Sequence, residues 1–228
     1  MEKQDEKIFM EQAFKKLLDR GWLSGNELVH SQITDTEIGN FEDKYQIKLP
    51  AYYSAFLRSY RLPEETFQIN GIAYRGDEIA PLWLLLYGID NLSFLSEQIE
   101  EFRQIAVECS GVSPESCKYL IPIGDWGAGW GPLCLDLTKQ DENTSEDDEE
   151  TWSLVWFDHE EFDWADLYLG EDGLLHGTPA APNLRTLLKW YFLGNLEQEF
   201  EAENQVKVSY ERLNDREFCN SYWEERWK

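Results

Sequence analysis

Apolar spacing changes period more than once along this chain, and the order of those changes limits its fold more than any single motif. Residues 5–23 place Ile8, Phe9, Ala13, Leu17 and Leu18 on a helical stripe, with Gly21 and Gly25 expected to end it. Thr34-Asp35-Thr36-Glu37 is a capping box, and Ile38, Phe41 and Tyr45 follow at helical spacing. Ile47-Lys48-Leu49-Pro50 breaks that helix, because a residue before proline is pushed out of the α region. Pro50 then opens a second helix whose face is Tyr53, Phe56, Leu57 and Tyr60, closed by Pro63. Residues 67–87 shorten to a weak alternation, read as two strands or an irregular strand pair around Asn70-Gly71 and Gly76. Helical spacing returns over 92–108. Tyr119–Ile123, Pro132–Leu137 and Trp152–Phe157 then read as strands, and a last long helix is expected from Pro182 to about Phe200. Strands gathered between helices predict an α+β fold, a mainly antiparallel sheet packed against helices, rather than alternating βαβ units.

Composition says what such a fold is for, mostly by exclusion. The 228 residues carry 45 Asp and Glu against 20 Lys and Arg, a formal charge of −25. That balance argues against nucleic acid and against anionic lipid as partners, since both are met with Lys and Arg. Disorder is excluded too, because 42% of the chain is hydrophobic and 14% aromatic. The longest apolar run, Ile79–Tyr87, contains Pro81 and is about half of the roughly 20 residues a spanning helix needs. The opening residues MEKQDEKIFMEQ are polar and acidic, so no secretory leader and a cytoplasmic location are expected. Cys109, Cys117, Cys134 and Cys219 fit no zinc spacing and are expected to be free thiols, two disulfides being the alternative.

The charge is uneven. From Gln140 to Leu184 there is no Lys or Arg, and 14 acids fall in those 45 residues. Seven lie in one expected loop: Asp141, Glu142, Glu146, Asp147, Asp148, Glu149 and Glu150. The bland reading of that loop is a solvated linker. The functional reading is a docking face that steers a basic partner. A second set, Asp158, Glu160, Glu161, Asp163 and Asp166, is interleaved with rings, of which Trp164 and Tyr168 are candidate anchors. Other rings in this stretch belong to the core: Trp152, Leu154 and Trp156 share one strand face. The Gly-rich stretch Gly124–Gly131 has neither a P-loop ending nor dinucleotide spacing, so it reads as a bend or bulge between strands, with Trp126 and Trp130 as further candidate anchors. No metal, cofactor or catalytic constellation stands out: His30, His159 and His176 are the only histidines, and no nucleophile motif occurs. An Asp/Glu pair working on carbohydrate among Trp rings is the enzymatic alternative, and acids this frequent make any pair uninformative.

Several blocks together resemble a known family. Ile33–Ile38, Phe41-Glu42, Ile47–Pro50 and Tyr52–Tyr60 are similar to the opening of the SUKH superfamily. Leu120–Gly127 followed by Pro132–Leu137 resembles its middle block, Trp152–Glu160 its next strand, and the helix after Pro182 its closing helix. The likeness covers roughly residues 31–195, within a domain read as 31–200, between a helical extension at 1–30 and a C-terminal extension at 201–228. It implies an α+β binding protein rather than an enzyme. Bacterial relatives are mostly immunity proteins that neutralise polymorphic toxins, many of them nucleases or deaminases. Fungal relatives regulate cell-wall synthesis as interaction scaffolds. The expected partner is therefore a protein toxin, basic in character, bound without a cofactor.

Overall fold

The computed structural model describes residues 2–23, 27–75, 78–81, 83–127, 129–138, 153–159, 163–194 and 207–211. In chain order its elements are α1 (Glu2–Asp19), α2 (Asp35–Tyr45), α3 (Ala51–Ser59), β1 (Thr66–Arg75), β2 (Glu78–Pro81), β3 (Leu84–Tyr87), α4 (Leu92–Ser110), a 3-10 turn (Pro114–Cys117), β4 (Leu120–Trp126), β5 (Gly131–Asp136), β6 (Leu154–Trp156), α5 (Trp164–Leu167), β7 (Thr178–Ala181), α6 (Leu184–Leu188) and β8 (Lys207–Glu211). This is the α+β class that the periodicity predicts.

Local chemistry sets the helix ends. Gly21 closes α1 in a left-handed conformation while the Trp22 amide reaches back to the Leu17 carbonyl, a Schellman stop. At α2 the capping box is complete: the Glu37 amide donates to Thr34 Oγ1 and the Thr34 amide donates to Glu37 Oε2 at 2.8 Å. The Thr34 hydroxyl and amide hold the Glu37 carboxyl below its ordinary value of 4.5. A lowered carboxyl favours the fold above its unfolded value and stops doing so as pH falls through the lowered one. Thr34→Ala is thus expected to cost about 1 kcal/mol near neutral pH. The gap to wild type should narrow in urea titrations carried below pH 4.5. Past α2, Glu42 holds the Ile47–Pro50 break in place. Its carboxylate accepts from the Leu49 amide at 2.9 Å and from Lys48 Nζ at 2.6 Å, while Ile47 and Leu49 point into the core.

The main sheet runs β1-β3-β4-β5-β6-β7, every neighbouring pair antiparallel. One expectation needs correction here. β1 does not turn at Asn70-Gly71 but runs straight through it, and the register reverses between Arg75 and Glu78. Ile69 opposite Leu84 and Ile72 opposite Pro81 keep one register, so β2 and β3 are successive parts of one return strand. β8, from a stretch whose sequence assigns no element, pairs β1 from Asn70 to Tyr74.

Both faces of the central strands are buried. Ile121, Ile123, Leu133, Leu135 and Leu154 face a large cluster built with α1, α2, α3 and α6. Leu120, Cys134, Val155 and Phe157 face a second cluster closed by Phe102 and Ala106 of α4, Val112, Cys117, Trp164 and Leu175. The N-terminal helix belongs to the large cluster: Phe14 is fully buried against Phe56, Tyr60 and Phe192. The expected long last helix is also corrected within the described residues. α6 gives way to one π turn, Lys189–Leu193, which stops at Gly194, where Arg20 Nη1 donates to the Tyr191 carbonyl at 3.3 Å. Leu196 and Phe200, expected on that helix, lie outside the described residues.

The three described cysteines are free thiols. Burial pushes the Cys117 thiol up to about 11 and the Cys134 thiol well above 9. Only thiolates react readily. Labelling of the folded protein near pH 7.5 should therefore mark exposed Cys109, with Cys117 and Cys134 reacting on unfolding, a difference that peptide mapping would read directly.

Candidate functional site

A bulge in β4 builds the most distinctive surface feature. The register with β5 pairs Pro122 with Cys134 and then Gly124 with Leu133, leaving Ile123 as an extra residue. In an unbroken strand, Pro122 and Asp125 would face opposite ways. The inserted residue restores them to one side, and Pro122, Asp125 and Pro132 all line the same cleft. Gly124 lets the bulged strand lie against β3, where a Cβ would collide with the Leu85 carbonyl. The Gly-rich stretch is thus the strand bend that its composition predicted.

Asp125 also organises the turn that follows. Its Oδ1 accepts from the Gly129 amide at 2.5 Å, and the Trp130 amide donates back to the Trp126 carbonyl at 3.1 Å. The Trp130 carbonyl in turn receives the His159 amide at 2.9 Å and His159 Nδ1 at 2.7 Å. A ring nitrogen that close to a carbonyl carries the proton, which leaves Nε2 free as the acceptor of the neutral imidazole. Asp125 Oδ2 has no hydrogen-bond donor among the described residues. Burial raises its carboxyl above the ordinary value, with the Gly129 amide and the His159 charge pulling the other way.

The cleft lies between α4 and the β3–β5 sheet and holds about 190 Å³. Gln98, Glu101 and Ile105 line it from α4, with Tyr87, Pro122, Asp125, Pro132, His159 and Trp164 opposite. Burial raises the Tyr87 hydroxyl, with Cys134, Asp125 and Glu101 adding to the effect, so it remains a donor. A larger cavity of about 300 Å³ lies between α1 and α3. Its cations are already matched, however: Lys7 pairs with Glu11 at 4.0 Å, and Arg58 bonds Asp35 at 2.5 Å and the Ser54 carbonyl at 3.0 Å. Among the described residues no lysine or arginine lines the cleft by α4.

The predicted site residues divide among different places. Trp130 is 44% exposed and outside the cleft's lining, its ring 6.0 Å from the Trp156 ring. Trp126 turns to the other face of the sheet and meets Tyr191 edge-on at 6.3 Å, so it is a half-buried ring of the large cluster. Trp164 is corrected from anchor to core. It is 1% exposed, packs on Phe102 and Phe157, and its indole N–H donates to the Asp158 carbonyl at 2.7 Å. Tyr168 is half-buried, edge-on to Phe157, and its hydroxyl accepts from the Asp158 amide. Asp163 and Asp166 are exposed around α5. Asp141, Glu142, Glu146, Asp147, Asp148, Glu149, Glu150, Glu160 and Glu161 lie outside the described residues, as does Trp152.

The two acidic groups of the sequence leave the sheet at opposite ends. The segment holding Asp141–Glu150 follows Thr138 and precedes Ser153, where the Asp136 amide bonds the Ser153 carbonyl at 2.7 Å. The Asp158–Tyr168 group leaves from the other end, beside Gly131. Five residue steps of β5 run from Gly131 to Asp136, about 17 Å at about 3.3 Å per step. Sequence reasoning passed over Asp125, Glu101 and Tyr87. A glycine inside a strand was the signal for the bulge, but nothing local shows which side chains it re-aims.

Among the described residues no group of three or more His, Cys, Asp and Glu side chains could hold a metal ion. No described helix is long and apolar enough to cross a membrane. Compared with known proteins, residues 32–169 match the model of the SMI1 / KNR4 family (SUKH-1). That span runs from α2 through the cleft to the end of α5, whereas α1 and α6, outside it, complete the core. No curated protein and no solved structure gives a match.

Proposed function

The chain belongs to the SMI1 / KNR4 family (SUKH-1), and on that premise we propose that it is an immunity protein. It binds the toxic domain of a cognate polymorphic toxin, of the nuclease or deaminase class, and keeps it from its substrate without catalysing a reaction. The observation that carries this reading is the rim of the cleft. Trp130 is exposed on the turn whose carbonyl holds His159, and the cleft that His159 lines carries Glu101 and Asp125 with no lysine or arginine among its described residues. Tryptophan is among the residues most enriched at interface hot spots. The surplus of negative charge suits a basic partner and would speed its approach.

The test is co-expression with the toxic domain encoded beside it, scored by growth and by recovery of a one-to-one complex. Growth with a recovered complex is the expected result. Loss of growth with no complex overturns the reading. Growth unaffected by toxin identity, with capture of several unrelated proteins, would favour a regulatory scaffold akin to the cell-wall synthesis regulators. Association should also slow clearly as salt rises from low concentration to about 0.5 M.

A further inference from the structure

We propose that the cleft between α4 and the β4–β5 turn seats a single cationic side chain, arginine before lysine, presented by the protein partner. This deepens the immunity reading and rests on its claim that the partner is a protein. Size points to one side chain. About 190 Å³ holds roughly six waters at about 30 Å³ each, and it falls below the roughly 300–1,000 Å³ usual for small-molecule sites.

The lining has two characters. Phe102, Ile105, Pro122 and Pro132 offer apolar walls suited to a methylene stem. Glu101 and Asp125 offer carboxylates suited to a charged head. Among the described residues no lysine or arginine fills that place. The single arginine of α4, Arg103, turns elsewhere, over the Tyr45 ring and 3.5 Å from Glu100. His159, the neighbour that can carry charge, has Nδ1 committed to the Trp130 carbonyl.

Asp125 supplies the second argument. One oxygen of this half-buried residue holds the turn through the Gly129 amide, and the other has no donor among the described residues. A cation arriving there gives it a partner. Arginine is favoured because guanidinium sheds water more readily than ammonium and can bond a carboxylate with two N–H groups.

The experiment uses the full chain and three capped tripeptides, acetyl-Gly-X-Gly-amide with X as arginine, lysine or citrulline. Chemical shifts of the Gly129 amide and the Trp164 indole N–H report occupancy. The arginine probe is expected to shift both saturably. The uncharged citrulline probe should bind at least roughly 10-fold more weakly, since it lacks the charge of the pair. Asp125→Asn should remove that preference. Asparagine Oδ1 can still accept from Gly129, so the turn is kept. Glu101→Gln, at an exposed helix position, should weaken the arginine probe without touching the turn. Equal binding of arginine and citrulline probes, or shifts unchanged in both variants, overturns the assignment.

Two further outcomes separate this proposal from the one it rests on. Arginine-selective binding in a chain that fails to protect against toxin removes the immunity reading and keeps the cleft. Protection with toxin affinity unchanged in both Asp125→Asn and Glu101→Gln removes the cleft and keeps the immunity reading.

Discussion

Trp164→Ala is expected to lower the unfolding free energy by about 3–5 kcal/mol, the range for truncating a fully buried large ring. The loss has two sources. The indole lies 5.2 Å from the Phe157 ring and 5.7 Å from Phe102, so its removal leaves a void in the second cluster. It also strips the Asp158 carbonyl of its 2.7 Å donor. For a chain of this length that is a fall in melting temperature of about 6 °C or more. The companion measurement is Trp130→Ala. Its ring is 44% exposed, so the stability change should stay within about 1 kcal/mol. Its effect should fall on partner affinity instead, about 2 kcal/mol or more if Trp130 is the anchor proposed above. Calorimetry on both variants and titration with the partner separate the two roles. Equal stability losses would mean that Trp130 is as structural as Trp164.

Gly124→Ala is expected to cost about 3 kcal/mol or more, the upper end for forcing atoms into a packed site. The added methyl would meet the Leu85 carbonyl, which is backbone in a paired strand and cannot rotate away as a side chain could. Relief requires β4 to separate from β3 or the bulge to shift. Either movement displaces Asp125, so the cleft and the fold should fail together. Chemical denaturation reads the first effect. A native-like midpoint for Gly124→Ala would show that the strands separate more easily than their pairing implies.

The parts of the fold legible in the sequence are those decided within about ten residues. The capping box at Thr34, the break at Pro50 and the apolar stripe of α4 are local facts, and all three stand in the structure. The parts not legible are decided by partners distant in sequence. Asn70-Gly71 carries a strong turn signal, yet Asn70 is buried, accepts from Gln68 Nε2 at 2.9 Å, and sits where β8 joins β1. Pairing with a strand about 140 residues away outweighs a two-residue preference. The described part of the last helix ends at Gly194 in the left-handed conformation, where Arg20, from the opposite end of the chain, bonds the Tyr191 carbonyl. The site divides in the same way. Aromatic rings among acids were visible, but burial decides which ring serves as core and which as surface. Trp164 and Trp130 differ there by neighbours that no local pattern names. The cleft acids were hidden because Glu101 and Asp125 meet only once α4 lies over the bulge.

The crossing from β5 to β6 has a practical consequence. Leu135 faces Leu154 directly, so the two strand ends to be joined already stand side by side. The span between them can change length at little cost, about 0.6 kcal/mol for each doubling. It is therefore a natural place to open the chain: the fold could be cut there into two fragments that reassemble across the β5–β6 ladder, or made to host a fluorescent domain. Because the Trp130 rim is at the far end of those strands, such a split or insertion would report on partner capture without standing in its way.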